Sequence, residues 1–133
     1  MIAFRLNPDS GIAPYLQIVQ QVKQALRLGM LEPGEQLPTV REVVAALAIN
    51  PNTVLKAYRE LEHEGLIASR PGQGTFVLRT LAGPSLASHA ALRRGLARWI
   101  DSAYVAGLDA ESILALFNDT FHQSQREHQE GTA

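Results

Sequence analysis

The chain has 133 residues, 46% of them apolar, with 12 Lys or Arg against 13 Asp or Glu and a net charge of −1. That length suits one ordinary domain, or a compact one with a helical appendage, and the apolar share excludes global disorder. With no cysteine, disulfides, thiol catalysis and cysteine-ligated zinc or iron–sulfur centres are excluded as well.

The longest apolar run, Val43 to Ile49, is far short of the roughly 18 residues a membrane span needs. The opening Met1-Ile2-Ala3-Phe4-Arg5 lacks the charged start and long apolar segment of a signal peptide. No membrane is implied, and the cytoplasm is the expected compartment. Residues 1–80 carry eight Lys/Arg against seven Asp/Glu, and the remainder four against six. Any nucleic-acid contact must therefore come from a local positive surface, because the global field does not supply one.

After an extended opening, Pro14 stands at a helix start, and Tyr15, Ile18, Val19, Val22 and Leu26 recur at helical spacing until Gly29. The stretch Leu31–Pro38 reads as a turn-rich connection. Thr39-Val40-Arg41-Glu42 is a capping box, and the helix it opens carries Val43, Val44, Ala46 and Leu47 on its apolar side, stopping near Ile49. Asn50 caps a third helix with Pro51 at its first position, Ile49 and Val54 placed as a staple, and Val54, Ala57, Tyr58 and Leu61 as the buried stripe up to Gly65.

The period then changes. Leu66–Ser69 and Thr75–Leu78 are strand candidates around a Gly-rich turn, a small β-hairpin. With only one or two residues expected between the second and third helices, the order helix, helix, helix, hairpin is that of a winged helix-turn-helix over residues 8–79. Leu81 to Ser85 reads as a hinge. Beyond it, over residues 85–128, two helices carry Leu92, Leu96, Trp99, Ile100, Ala103 and Tyr104, then Leu114, Phe117 and Phe121, with Asp109 as the second cap and Leu108 and Ile113 as its staple. The last dozen residues are polar and are expected to fray. The fold class is mainly α with a small β element (α+β).

In a helix-turn-helix the second helix enters the DNA major groove with its N-terminal residues at base edges. Asn52 can offer a paired donor and acceptor to adenine, and Thr53 a hydroxyl to phosphate or a methyl to thymine. Lys56 and Arg59 share the exposed side. Arg41 could reach a phosphate or a guanine, or pair with Glu42 or Glu35, and the sequence does not choose among these. In the hairpin, Arg70 stands beside Gly72, Gln73 and Gly74, whose flexibility permits close approach to the DNA backbone. The four histidines make no metal site: His63 is flanked by acids that point elsewhere on the helix, and His122 and His128 are six apart. No nucleophile or acid–base couple and no phosphate-binding glycine motif occurs, so neither enzyme nor cofactor is expected.

The segments "LEPGEQLPTVREVVAAL", "INPNTVLKAYRELEHEGLI" and "GQGTFV" follow one another in an order that resembles the winged helix-turn-helix of the GntR family of bacterial transcription regulators. The short two-helix tail and the wording of the second segment resemble the YtrA subfamily. That resemblance implies a DNA-contact arginine at Arg41, a recognition helix beginning over Asn50 to Lys56, and a wing at Arg70 to Gly74. Pro51 and Leu55 stand where other branches carry cationic contacts, and Pro71 where relatives often carry a second basic residue.

The tail resembles the subfamily's dimerisation element. Its apolar stripes also exceed what two helices can bury against each other, so they pack on a partner's matching pair or, alternatively, fold back on the winged domain of the same chain. The expectation is a cytoplasmic homodimeric repressor, nucleoid-associated when bound to a palindromic double-stranded operator. The tail leaves little room for a small-molecule effector, which would have to bind between subunits or at the hinge. The alternative is a winged-helix protein-interaction module that never touches DNA.

Overall fold

The structure is a computed structural model that describes residues 1–82 and 86–131. It divides into two compact units, Met1–Leu86 and Ala87–Ala133. Gly83, Pro84 and Ser85 of the expected hinge lie outside the described residues. No helix among them is long and apolar enough to cross a membrane.

In the first unit, helix α1 spans Pro14–Arg27 and buries Ile18, Val19, Val22, Ala25 and Leu26. It also buries a polar residue, Gln17, whose side chain is fully engaged. Its carbonyl accepts from the Asn7 N–H at 2.8 Å, and its amide donates to the Asn7 and Ile12 carbonyls and to Ser10 Oγ. A buried amide without partners would be destabilising. Here it clamps the N-terminal arm, which also places Phe4 in the core.

The connection after α1 is more ordered than its turn-rich composition suggests. Gln36–Leu37 form a strand, β1. Strands β2 (Ile67–Arg70) and β3 (Gly74–Val77) make the expected hairpin, each within a residue of its predicted start, and β1 pairs antiparallel with β3 to give the order β1-β3-β2. The β element is therefore a three-stranded sheet. Two residues are too short to show a period-2 pattern, so β1 had no signal of its own.

Helix α2 spans Val40–Leu47, and its capping box forms: Thr39 Oγ1 accepts from the Glu42 N–H at 3.1 Å, and Glu42 Oε1 accepts from the Thr39 N–H at 3.4 Å. Ala46, placed on the apolar side by periodicity, is exposed. Helix α3 spans Pro51–His63 and buries Val54, Ala57, Tyr58 and Leu61, as its stripe requires. The junction is longer than the one or two residues expected, because α2 ends at Leu47 and Ala48, Ile49 and Asn50 all intervene. Ala48 takes a left-handed conformation (φ 54°, ψ 48°), which stops α2 before Ile49 and turns the chain into α3. One core joins α1, α2, α3 and the sheet, with Leu37, Val43, Leu66, Ile67 and Val77 closing it.

The second unit consists of helices α4 (Leu86–Val105) and α5 (Ala110–Gly131). Gly107 turns the chain at φ 97°, and Asp109 caps α5, its carboxylate accepting from the Ser112 N–H at 2.8 Å. The cap holds the Asp109 carboxyl below its ordinary value, the Ser112 backbone bond being the largest cause. Helix α5 extends through most of the polar tail, to Gly131. Residues 122–130 contain neither Gly nor Pro, so nothing breaks the helix there despite their polarity.

Candidate nucleic-acid interface

The outward face of α3 is set by its cap. Asn50 Oδ1 accepts from the Asn52 N–H at 2.8 Å, and Pro51 has no N–H to leave unsatisfied. With Val54, Ala57, Tyr58 and Leu61 inward, helical geometry turns residues 52, 56, 59 and 63 to the opposite side. These are Asn52, Lys56, Arg59 and His63, and no acid is among them. Asn52 and Arg59 are exposed, and their side chains have no partner among the described residues. Thr53 sits a quarter-turn aside and is half-buried. Lys56 is exposed, with its ammonium 4.0 Å from the centre of the Tyr15 ring.

The angle between α3 and the preceding segment is pinned by Tyr58, whose hydroxyl donates to the buried Pro38 carbonyl at 2.6 Å. Burial, and after it the Glu42 carboxylate, raises the phenol far above its ordinary value, so it remains a neutral donor. Pro38 directly precedes the capping Thr39, so one bond ties the recognition helix to the start of α2.

Arg41 is the second residue of α2 and is exposed. Both acids offered as partners are committed elsewhere: Glu42 to the capping box, and Glu35 to the Glu32 N–H at 3.2 Å. Arg41 makes no ion pair among the described residues.

The wing tip closes with the Gln73 N–H donating to the Arg70 carbonyl at 2.9 Å, opposite the Arg70↔Gly74 pair. Arg70 is exposed, with its guanidinium carbon 4.9 Å from the centre of the Phe76 ring. Gln36 props the tip from β1, its amide reaching the Gln73 carbonyl at 3.3 Å. Gly74 takes φ +122°, a conformation that favours glycine, and a Cβ there would lie 2.5 Å from Gln36 Nε2, so a larger residue would push the Gln36 side chain off the wing tip. Gly72, at φ +73°, has open space around it. A cleft of about 530 Å³ lies between the wing and the start of α2, lined by Gln36, Thr39, Val40, Arg70 and Gln73 among others.

The near-neutral composition thus hides a sorting of charge. Glu62 accepts the Ser69 N–H and hydroxyl, Glu64 pairs with Lys23 at 2.9 Å, and Glu42 and Glu35 serve the backbone. Arg41, Lys56, Arg59 and Arg70 keep no acidic partner among the described residues. Gln36, Tyr15 and Tyr58 support this surface and were not marked as site residues by sequence. Periodicity assigned Tyr15 and Tyr58 to the core stripes, and the role of Gln36 depends on the unforeseen strand.

In the second unit, Trp99 and Phe117 lie 6.5 Å apart between ring centres, and Phe117 stacks on Phe121 at 5.9 Å. With Leu96 they line an open groove of about 400 Å³. Leu92, Tyr104 and Leu114 are exposed outside it, and Ile100 is half-buried. Among the described residues, no group of three or more His, Asp or Glu could hold a metal ion.

Comparison with known proteins matches residues 14–77 to the GntR family of bacterial regulatory proteins. The HTH-type transcriptional repressor YtrA of Bacillus subtilis (strain 168) is 36% identical over 110 residues, covering 82% of this chain and 85% of that protein. Among solved structures, a transcriptional antiterminator from Listeria monocytogenes EGD-e aligns with a TM-score of 0.57 and 34% identity over 90% of both chains. YtrA from Sulfolobus acidocaldarius, a GntR-family transcription factor, aligns with a TM-score of 0.52 and 26% identity over 90% of this chain and 97% of that one.

Proposed function

Since the chain belongs to the GntR family and is a DNA-binding transcriptional regulator rather than an enzyme, we propose that it is a cytoplasmic repressor that binds a palindromic operator as a homodimer. The observation that carries this reading is the sorting of charge. Glu35, Glu42, Glu62 and Glu64, four of the seven acids in residues 1–80, serve a cap, turns and one ion pair, while Arg41, Lys56, Arg59 and Arg70 form no ion pair among the described residues and stay available for phosphates. In this reading Asn52 reads a base edge, Thr53 meets phosphate or a thymine methyl, and Arg41 works from the start of α2. The wing brings Arg70, Gly72, Gln73 and Gly74 to the adjacent backbone. Repression is supported by the likeness to the Bacillus repressor.

The exposed apolar faces of α4 and α5 support the homodimer. Leu92, Leu96, Trp99, Ile100, Tyr104, Leu114, Phe117 and Phe121 pack against the same faces of a second copy, completing a core that one pair of helices leaves open. A two-fold dimer then presents two recognition helices to half-sites about one helical turn, or a multiple, apart.

Selection of duplexes from a random pool, followed by titration over a range of salt, tests this. The expected outcome is a palindromic consensus and affinity that falls steeply with salt through counterion release. Asn52→Ala relaxes preference at one position by ~1–3 kcal/mol, whereas Arg70→Ala weakens all duplexes alike. Recovery of no duplex above background would instead leave the winged unit a protein-interaction module.

A further inference from the structure

Resting on that reading of Lys56, we propose that Tyr15 is a positioning residue that holds the Lys56 ammonium in place for a DNA phosphate. The chain has two lysines, and they are treated in opposite ways. Lys23 is neutralised by Glu64 at 2.9 Å. Lys56 is placed over the Tyr15 ring, 4.0 Å from its centre, by a contact that orders the side chain and leaves its charge intact.

A carboxylate in the same place would cancel the charge that displaces counterions, whereas an aromatic face covers one side of the ammonium and leaves N–H groups for a phosphate. The ring is itself well held. Tyr15 is the second residue of α1, half-buried and packed on the core that α1 shares with α3. Lysine carries a long, flexible stem whose freedom is lost on binding. Seating it beforehand removes part of that loss from the binding step. The Tyr15 hydroxyl has no partner among the described residues, so the ring face and not the phenol does this.

The test uses the full chain and a labelled duplex selected by the native protein, with Tyr15→Phe, Tyr15→Leu, Lys56→Gln and the double variant Tyr15→Leu/Lys56→Gln. Lys56→Gln should weaken binding and flatten the salt slope by about 0.9, the value of one phosphate. Tyr15→Leu, which keeps apolar packing but removes the ring face, should weaken binding about two- to fivefold with the salt slope unchanged. Tyr15→Phe should bind like the native chain, and Tyr15→Leu should add nothing once Lys56 is gone. In NMR spectra the ring-current shift of the Lys56 ε-methylene should vanish in Tyr15→Leu and persist in Tyr15→Phe, a readout that simple loss of stability would not move.

The proposal is overturned if Tyr15→Leu binds like the native chain, weakens the Lys56→Gln background equally, or is matched by Tyr15→Phe. Any of these would leave the DNA contact of Lys56 standing. Native affinity and slope in Lys56→Gln would remove that contact, and the role of Tyr15 with it.

Discussion

The two units of the chain use the same raw material, amphipathic helices, to different ends. In Met1–Leu86, α1 and α3 cross and a three-stranded sheet closes over them, so Ile18, Leu26, Leu37 and Leu61 have no solvent exposure at all. In Ala87–Ala133, Ala103 and Ile113 are the buried side chains among those described, while Leu92 is 71% exposed and Phe121 51%. The difference is one of layers: a helix pair buries one stripe, and a second layer must cover the rest. The first unit contains that layer, and in the proposed homodimer the second takes it from another copy.

The largest expected effect lies where the layer is borrowed. Phe117→Asp places a charge in the aromatic row of Trp99, Phe117 and Phe121, and light scattering should show the proposed dimer for the native chain and a monomer for the variant. A dimer that survives would break the comparison, because the exposed face would then have another purpose.

Next comes the closed core. Leu61→Ala should lower the unfolding free energy by ~2–5 kcal/mol in urea denaturation, through lost burial and the cavity left behind. Leu92→Ala, at an exposed position, should stay within about 0.5 kcal/mol when measured on the monomeric Phe117→Asp background.

Smaller still is the bond from Tyr58 to the Pro38 carbonyl. Tyr58→Phe should cost ~1–3 kcal/mol, since it strands a buried acceptor. It should also weaken DNA binding beyond the stability loss, because the angle of α3 relaxes.

The smallest effect belongs to the cap of α5. The Ser112 N–H holds the Asp109 carboxyl below its ordinary value, so its contribution is complete above the ordinary carboxylate range and is lost as the pH falls through the lower folded value. Circular dichroism should show the acid-side loss of helix in α4–α5 shifted in Asp109→Asn, with little change at neutral pH.

Much of this was legible beforehand, for physical reasons that can be named. The stripe Val54, Ala57, Tyr58 and Leu61 lies inside because a 3.6-residue period has one solution there. Thr39 and Glu42 announced their helix because two orphan donors need two local acceptors. β1 was not legible, since two residues pair with β3 only once the whole unit has folded. The junction was read too short because alanine gives no warning of a left-handed turn. At the surface, Asn52, Lys56, Arg41 and Arg70 were proposed by residue type and order, and all four are exposed. Which of them remain free of acids depends on where Glu35, Glu42, Glu62 and Glu64 are spent, and that is decided by tertiary contacts.

The corner at Ala48 has a practical consequence for anyone wishing to stabilise this protein. A left-handed alanine costs about 1–2 kcal/mol that glycine does not bear, and Ala48 is the one non-glycine residue at positive φ among those described. Glycine's greater loss of chain entropy offsets about 0.5–1 kcal/mol of that, so Ala48→Gly should raise the melting temperature by a few degrees (~4–8 °C per kcal/mol for a domain of this size) without altering any side chain assigned to DNA. The same change gives the hinge between α2 and α3 more freedom, and a looser recognition helix has more to lose on docking. Thermal tolerance and tightness of operator binding should therefore move in opposite directions at this single position.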